Sequence, residues 1–135
     1  MILLNTDVLI DVALDRPGHA DDAARLLGVL ERRPRMAFVA WHTLSNFHYL
    51  VSPTRGRDDA HRFLVDLTRF VSVAPTDTEA FHYAAVLAMA DFEDALQVAA
   101  ARACGAAYIA SRRVKDFRQS PIPAKTPGEL LAELE

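Results

Sequence analysis

Carboxylates are concentrated at one point near the middle of the chain. Asp91, Glu93 and Asp94 open an alanine-rich run, and Asp116 follows a short apolar stretch at Ala107–Ala110. Carboxylate oxygens are the ligands that hard cations such as Mg²⁺ and Mn²⁺ take. Such ions orient a phosphodiester, activate water and stabilise the leaving oxygen. These acids are therefore candidates for metal-dependent phosphodiester chemistry, provided that the fold brings them together.

The same acids have a simpler interpretation as helix-capping residues. An Asp side chain accepts a hydrogen bond from the free amides of the first helical turn, and acids there are favoured by the helix dipole. The pattern predicts a helix that begins at Asp91 or Phe92 and ends at Gly105, where a left-handed residue is needed. Capping alone accounts for Asp91 and Asp94, so both interpretations stay open at this point.

Short apolar runs alternate with amphipathic segments along the chain. The runs predict strands at residues 2–4, 36–40, 70–74, 107–110 and, as an edge strand, 120–125. The amphipathic segments predict helices at about 8–14, 20–33, 41–51, 58–70, 78–89, 92–104 and 127–135, with a turn at 53–56. Alternation of this kind predicts a three-layer α/β/α sandwich with a mostly parallel sheet of four or five strands. We expect a single domain over residues 1–135.

Polar residues follow the predicted strands at their carboxyl ends. Asn5, Thr6 and Asp7 come after the first strand, and Ser111–Asp116 comes after the fourth. In open α/β sheets, chemistry takes place beyond the carboxyl ends of the strands. The helix near Asp94 runs opposite to the strand after it, so its first turn returns to that edge. We therefore expect the acids to meet there, whereas Asp7 either points into the cluster or only caps a helix.

Several other classes of protein are disfavoured by the sequence. The histidines lack zinc-site spacing, and there is no P-loop, nucleophile elbow or glycine-rich dinucleotide loop. A net charge of −3 argues against a wholly basic nucleic-acid binder. The single Cys104 is expected to be a small buried hydrophobe. No apolar stretch reaches membrane-spanning length and the first residues lack a signal-peptide pattern, so we expect a cytoplasmic protein without a membrane association.

Four segments together resemble the PIN domain family, which includes the VapC-type toxin ribonucleases. They are Leu3–Asp11, Asp91–Ala101, Ile109–Phe117 and Ile122–Leu131, with the sequences LLNTDVLID, DFEDALQVAAA, IASRRVKDF and IPAKTPGELL. Their order and spacing match the family over essentially the whole chain. The resemblance implies the fold predicted above and a Mg²⁺- or Mn²⁺-dependent endoribonuclease of a toxin–antitoxin system.

The family has four acidic positions around one or two divalent metals. Asp94 and Asp116 match two of them, whereas Asn5 and Asn46 stand where the family usually has Asp and Glu. The family commonly begins Asp-Thr-Asn, and this chain has Asn5-Thr6-Asp7 in that place. The candidate site consists of Asp94, Asp116, Asp7 and Asn5 as catalytic residues, with Asp91 as a further metal ligand beside Asp94, Asp116 and Asp7, and with Thr6, Asn46 and Ser111 in support.

The segment after the fourth predicted strand is basic. Arg112, Arg113 and Lys115 are candidates to bind RNA backbone phosphates, or are simply solvated surface charges. Many family members have Asn at the place of Arg113. The resemblance also implies an antitoxin partner and a homodimer. Two other functions remain open: a degenerate PIN domain that binds RNA or protein without cutting, and a metal-dependent phosphatase or DNA nuclease.

Overall fold

Five short strands form one parallel sheet. In the computed structural model, which describes residues 1–135, the strands are β1 (Ile2–Leu4), β2 (Ala37–Val39), β3 (Val71–Val73), β4 (Tyr108–Ala110) and β5 (Ala124–Lys125). Their order is β3-β2-β1-β4-β5, and each neighbouring pair is parallel. Strands β1, β2 and β4 are apolar throughout, which is typical of strands in sheets that are covered on both faces. The predicted α/β/α fold with a mostly parallel sheet is confirmed.

Seven α-helices cover the two faces of the sheet. They are α1 (Thr6–Ala13), α2 (Ala20–Glu31), α3 (Trp41–Arg55), α4 (Arg57–Leu67), α5 (Thr78–Ala85), α6 (Phe92–Ala103) and α7 (Pro127–Leu134), and a short 3-10 helix spans Val114–Phe117. Helices α1 to α4 and α7 share one apolar core with the sheet. Helix α6 packs on the other face, and α5 packs against α6. None of these helices is both long and apolar enough to cross a bilayer.

The central strand shows how the sequence supplies both cores. Ile2 and Leu4 belong to the core on the α1 side, whereas Leu3 belongs to the core on the α6 side. Successive side chains of a strand point to opposite faces, so three consecutive apolar residues serve both layers. Cys104, at the end of α6, is buried in the α6-side core as expected, and burial raises the pKa of its thiol.

Two predicted boundaries are wrong. The turn predicted at residues 53–56 is instead the last turn of α3, which contains Pro53 and ends at Gly56 with φ +87°. The predicted helix to residue 89 ends at Ala85. After it, Leu87 and Met89 pack against the α6-side core from a non-helical segment. Contacts to the core therefore outweigh the helical periodicity of the sequence in that segment.

Candidate active site

The residues after β1 turn toward the end of β4. Asn5 is fully buried, and its Nδ2 donates a hydrogen bond to Ser111 Oγ at 3.2 Å. Asp7 Oδ2 accepts hydrogen bonds from Ser111 Oγ at 2.9 Å and from the Arg112 backbone amide at 3.3 Å. Asn5 is the residue before α1, but its side chain makes no capping bond. Asp7 therefore points into the edge of the sheet and does not act as a capping residue.

Two buried oxygens at this edge have no hydrogen-bond partner. They are Asn5 Oδ1 and Asp7 Oδ1. Buried polar atoms in folded proteins nearly always have a partner, which is another protein atom, a water or an ion. These two acceptors are therefore free to bind a donor or a cation at the end of β1.

Helix α6 brings Asp94 to the site through its capping residue. Asp91 Oδ1 accepts a hydrogen bond from the Asp94 backbone amide at 3.0 Å, which sets the first turn of the helix. Asp94 is buried, and burial together with the charges of Asp91 and Glu93 raises its pKa to about 6, although Arg113 opposes the shift. Asp91, Glu93 and Asp94 each offer an oxygen within 4.8 Å of one another. Capping and participation in an acidic cluster therefore occur together.

One guanidinium contacts three carboxylates that are distant in the sequence. Arg113 Nε lies 3.5 Å from Asp7 Oδ2, one terminal nitrogen lies 3.9 Å from Asp94 Oδ1, and the other lies 3.2 Å from Asp116 Oδ2. Burial lowers the pKa of Arg113, but the three carboxylates outweigh it and the net shift is upward. The structure thus brings Asp7, Asp94 and Asp116 to one guanidinium, each at a different nitrogen, and the position of this guanidinium is their shared point.

An open cavity of about 500 Å³ lies in front of this point. Its lining includes Asp91, Asp94, Asp116 and Arg113, together with Lys115 and Arg118 at exposed positions. The lining therefore combines acids with three basic side chains, and among the acids only Asp94 is buried.

Arg112 is placed differently from Arg113. Its Nε lies 2.9 Å from Asp11 Oδ2 and 3.2 Å from Asp11 Oδ1, and Asp11 is only 2% exposed. Arg16 reaches the same carboxylate at 3.4 Å. Arg112, which the sequence suggested as a phosphate-binding residue, is thus engaged in a largely buried ion pair. Asp11 was not among the candidate site residues.

A buried polar network joins α6 to α1 and α3. Gln97 Nε2 lies within hydrogen-bonding distance of three acceptors, which share its two hydrogens: Glu93 Oε2 at 2.8 Å, Thr43 Oγ1 at 2.9 Å and Thr6 Oγ1 at 3.2 Å. The hydroxyls of Thr6 and Thr43 lie 2.9 Å apart. The sequence indicated Thr6, and Thr43 as a polar residue after the second strand, but Gln97 was missed. The signal for Gln97 was its i,i+4 spacing from Glu93, which puts both on one face of α6.

His42 and Asn46 lie on α3 beside this network. His42 Nε2 is 2.7 Å from Glu93 Oε2. Burial raises the pKa of Glu93, but the bonds from His42 and Gln97 outweigh it, and the net shift is downward. Asn46 is half-buried and makes no hydrogen bond to the acidic cluster. Thr43, one turn earlier, is the α3 residue that contacts Thr6.

The donor set at the shared point fits a hard divalent cation. Asp7, Asp94 and Asp116 all face the guanidinium there, and Asp7 Oδ1 is a buried acceptor without a partner. Asp94 also lies beside Asp91 and Glu93, and the oxygens of these three acids are within 4.8 Å of one another. Mg²⁺ is usually held by one or two carboxylates together with water and substrate phosphate, so these three acids are sufficient in number and type. The positive charge of Arg113 now compensates the negative charge of these acids, which a bound divalent cation would also compensate.

The chain is similar to proteins of one family. The family model of the PIN domain matches residues 1–115. No curated protein matches the sequence.

Solved structures with this fold come from toxin–antitoxin proteins. VapBC2 from Rickettsia felis bound to a DNA fragment from its promoter has a TM-score of 0.72 and 17% identity, covering 93% of this chain and 98% of that one. VapC20 of Mycobacterium tuberculosis, a sarcin-ricin loop cleaving toxin, has a TM-score of 0.62 and 19% identity, covering 81% and 87%. FitAB bound to a DNA fragment has a TM-score of 0.66 and 17% identity, covering 94% and 95%. At these identities the likeness shows a shared fold.

Proposed function

The chain belongs to the PIN domain family, and we propose that it is a metal-dependent endoribonuclease acting as the toxin of a toxin–antitoxin pair. One observation carries the proposal: Asp7, Asp94 and Asp116 lie within 3.9 Å of a single guanidinium. The sarcin-ricin loop cleaved by VapC20, which shares the fold, supports RNA as the substrate class.

The three acids are the proposed ligands for Mg²⁺ or Mn²⁺. When bound, the ion supplies water activation, alignment of the phosphodiester and charge stabilisation at the leaving oxygen. Asp94 must be ionised to act as a ligand, and its pKa of about 6 leaves it mostly ionised at neutral pH. Asp91 holds the first turn of α6 by its Oδ1 and remains a candidate for a further ligand.

Asn5 and Ser111 have a positioning role in this proposal. Asn5 holds Ser111 by its amide nitrogen, and Ser111 in turn donates to Asp7. Asp7 thereby supplies a negative charge close to Asn5, whose own side chain is neutral. Lys115 and Arg118 are exposed on the cavity wall, where they are suited to bind backbone phosphates without reading sequence.

Cleavage of a mixed RNA pool by the purified chain tests this proposal. We expect cutting with Mg²⁺ or Mn²⁺, none with a chelator, and a loss of at least about a hundredfold in Asp94→Asn and in Asp116→Asn, because each removes a charged ligand. Asp21→Asn is the matched control, since Asp21 is an exposed acid in the first turn of α2. Cutting that persists with chelator, or in Asp94→Asn at the parent rate, would contradict the proposal.

A second candidate function is binding of RNA or protein without cleavage. The occupation of the shared point by Arg113 and the neutral Asn5 favour it. Asn5→Asp separates the two candidates. If the parent does not cut and Asn5→Asp does, one amide switches the site off. If neither cuts while RNA still binds, the chain is a binding module. Single-stranded DNA and a phosphomonoester in the same assay test the remaining alternatives.

An antitoxin and a second copy of the chain are the proposed protein partners. VapBC2 and FitAB, which share the fold, support the antitoxin. An apolar groove of about 330 Å³ between α2 and α4, lined by residues that include Leu27, Phe63 and Phe70, is a candidate surface. Co-expression with a candidate antitoxin should yield a complex that Leu27→Asp weakens. Light scattering of the purified chain gives its mass in solution and so tests for the homodimer.

A further inference from the structure

We propose that Arg113 is a built-in competitor of the divalent cation, which neutralises Asp7, Asp94 and Asp116 in the metal-free protein and leaves their shared point when a metal binds. This inference rests on the proposed function, because it concerns the same acidic cluster. It adds a regulatory property: the metal affinity of the site is set by a side chain of the same chain.

Two buried acids of the cluster depend on one cationic side chain in the metal-free protein. The side chains of Asp7 and Asp94 are 7% and 6% exposed, and Arg113 is the only cationic side chain that forms an ion pair with either of them. Buried carboxylates are unfavourable unless an opposite charge lies close to them. A metal-free site without Arg113 would hold these charges uncompensated. The guanidinium and a divalent cation therefore satisfy the same requirement, and at the same place.

The contacts between Arg113 and the three carboxylates are long. Charge-assisted hydrogen bonds of a guanidinium are about 2.7–2.9 Å long. The three distances from Arg113 are 3.5, 3.9 and 3.2 Å, each to a different nitrogen. Long contacts of this kind compensate the carboxylate charges, but they do not hold the Arg113 side chain in one conformation.

The Arg113 side chain has an open path into solvent. The Arg113 side chain is 45% exposed and forms part of the wall of the open cavity. It can therefore leave the carboxylates by rotating into solvent, with no movement of the sheet or of α6. Arg118 lines the same cavity and is exposed without a carboxylate partner, so it provides a matched cation that does not occupy the shared point.

Mn²⁺ binding, measured in the absence of RNA, tests the inference. The loss of the free-ion electron paramagnetic resonance signal gives the affinity for the parent, Arg113→Ala, Arg113→Asn and the control Arg118→Ala. We expect both Arg113 variants to bind Mn²⁺ about fivefold more tightly than the parent, because three weak ion pairs no longer compete. Arg118→Ala should stay within about twofold of the parent, since it changes only the long-range field.

Three outcomes separate this inference from the proposed function. Tighter binding in both Arg113 variants, but not in Arg118→Ala, supports it. Equal affinity in the parent and in both Arg113 variants, abolished by Asp94→Asn, leaves the metal site standing and overturns the competition. No Mn²⁺ binding by any variant overturns both the metal-dependent function and the inference. Melting temperatures with chelator show whether each variant is folded, and two substitutions at Arg113 guard against a local defect in one of them.

Discussion

Arg112 and Arg113 are neighbours in the sequence but belong to two different electrostatic regions. Arg112 meets one carboxylate, Asp11, at 2.9 Å and 3.2 Å. Arg113 is shared among Asp7, Asp94 and Asp116 at 3.2 to 3.9 Å. The first is a close pair with a carboxylate that is 2% exposed, and the second is a loose arrangement at the mouth of a cavity.

The difference shows that the number of ion pairs is a poor guide to their role. A close pair with a buried partner is hard to break, because either charge left alone in the interior is strongly unfavourable. A half-exposed guanidinium that faces several carboxylates at longer distances contributes little to stability, because solvent screens it. By this argument Arg112 stabilises the link between β4 and α1, whereas Arg113 stays available for exchange with a ligand.

The largest effect should come from Arg112→Ala. This change leaves Asp11 buried with only Arg16, which lies at 3.4 Å. We expect the free energy of unfolding to fall by about 3 kcal/mol, because breaking a buried pair leaves an uncompensated charge. Urea denaturation measures it, with Arg118→Ala as the control. A loss no larger than that of the control would mean that the two arginines do not differ in role.

Asp94→Asn should stabilise the metal-free protein at neutral pH. The pKa of Asp94 in the folded state is about 6, above its ordinary value of 3.8, so the folded state binds the proton more tightly than the unfolded state does. The stability supplied by the protonated acid is therefore complete below about pH 4 and is lost as pH rises through about 6. The free energy of unfolding of the Asn variant should exceed that of the parent by on the order of 2 kcal/mol at neutral pH, and the two should be equal near pH 4.

The measurement for Asp94→Asn is chemical denaturation in chelator across that pH range. Asp21→Asn should show no such dependence, because Asp21 is an exposed acid without an ion pair. A gain in stability that does not change with pH would show that burial of the Asp94 charge is not its origin. The same variant is expected to lose cleavage activity, so Asp94→Asn should increase stability and decrease activity.

Arg113→Ala should have a smaller effect on stability than either change above. With chelator present, we expect a loss of about 1 kcal/mol or less, because the Arg113 side chain is 45% exposed and its contacts are screened. The loss should shrink further in high salt. Urea denaturation at low and high salt measures both. A loss as large as that of Arg112→Ala would show that Arg113 is a fixed structural residue and not an exchangeable one.

Arg16→Ala should have the smallest effect. Arg16 contacts the same buried carboxylate as Arg112, but at 3.4 Å and with a side chain that is 40% exposed. We expect the free energy of unfolding to fall by about 0.5 kcal/mol, as for exposed ion pairs in general. Urea denaturation beside Arg112→Ala measures it. If Arg16→Ala and Arg112→Ala lower the free energy of unfolding equally, the length of the ion-pair contact does not determine its contribution to stability.

Much of the scaffold of the site was predictable from local sequence. The apolar runs at β1 and β4 and the start of α6 at Asp91 follow from residue types that act on their near neighbours. The expectation that Asp94 and Asp116 meet required only the direction of a helix relative to a parallel strand. The extents of α3 and α5 were mispredicted, because packing against distant residues decides where each of these helices ends.

The direction of individual side chains at the sheet edge was not predictable. Asn5 bonds Ser111, which is 106 positions away in the sequence, and Asp7 bonds the same hydroxyl from 104 positions away. Whether Asp7 caps its own helix or joins the cluster depends on what the end of β4 places beside it. The inward position of Gln97 has the same origin, since its partners lie on α1 and α3.

The sequence by itself determined the order of strands and helices, the parallel sheet and the edge at which the acids gather. Those features depend on periodicity, capping and chain direction, which act over a few residues. Only the tertiary structure decided that Arg112 pairs with Asp11 and that Arg113 stands among three acids. Consecutive side chains leave the backbone in different directions, and the charge that each one meets is supplied by elements far away in the chain.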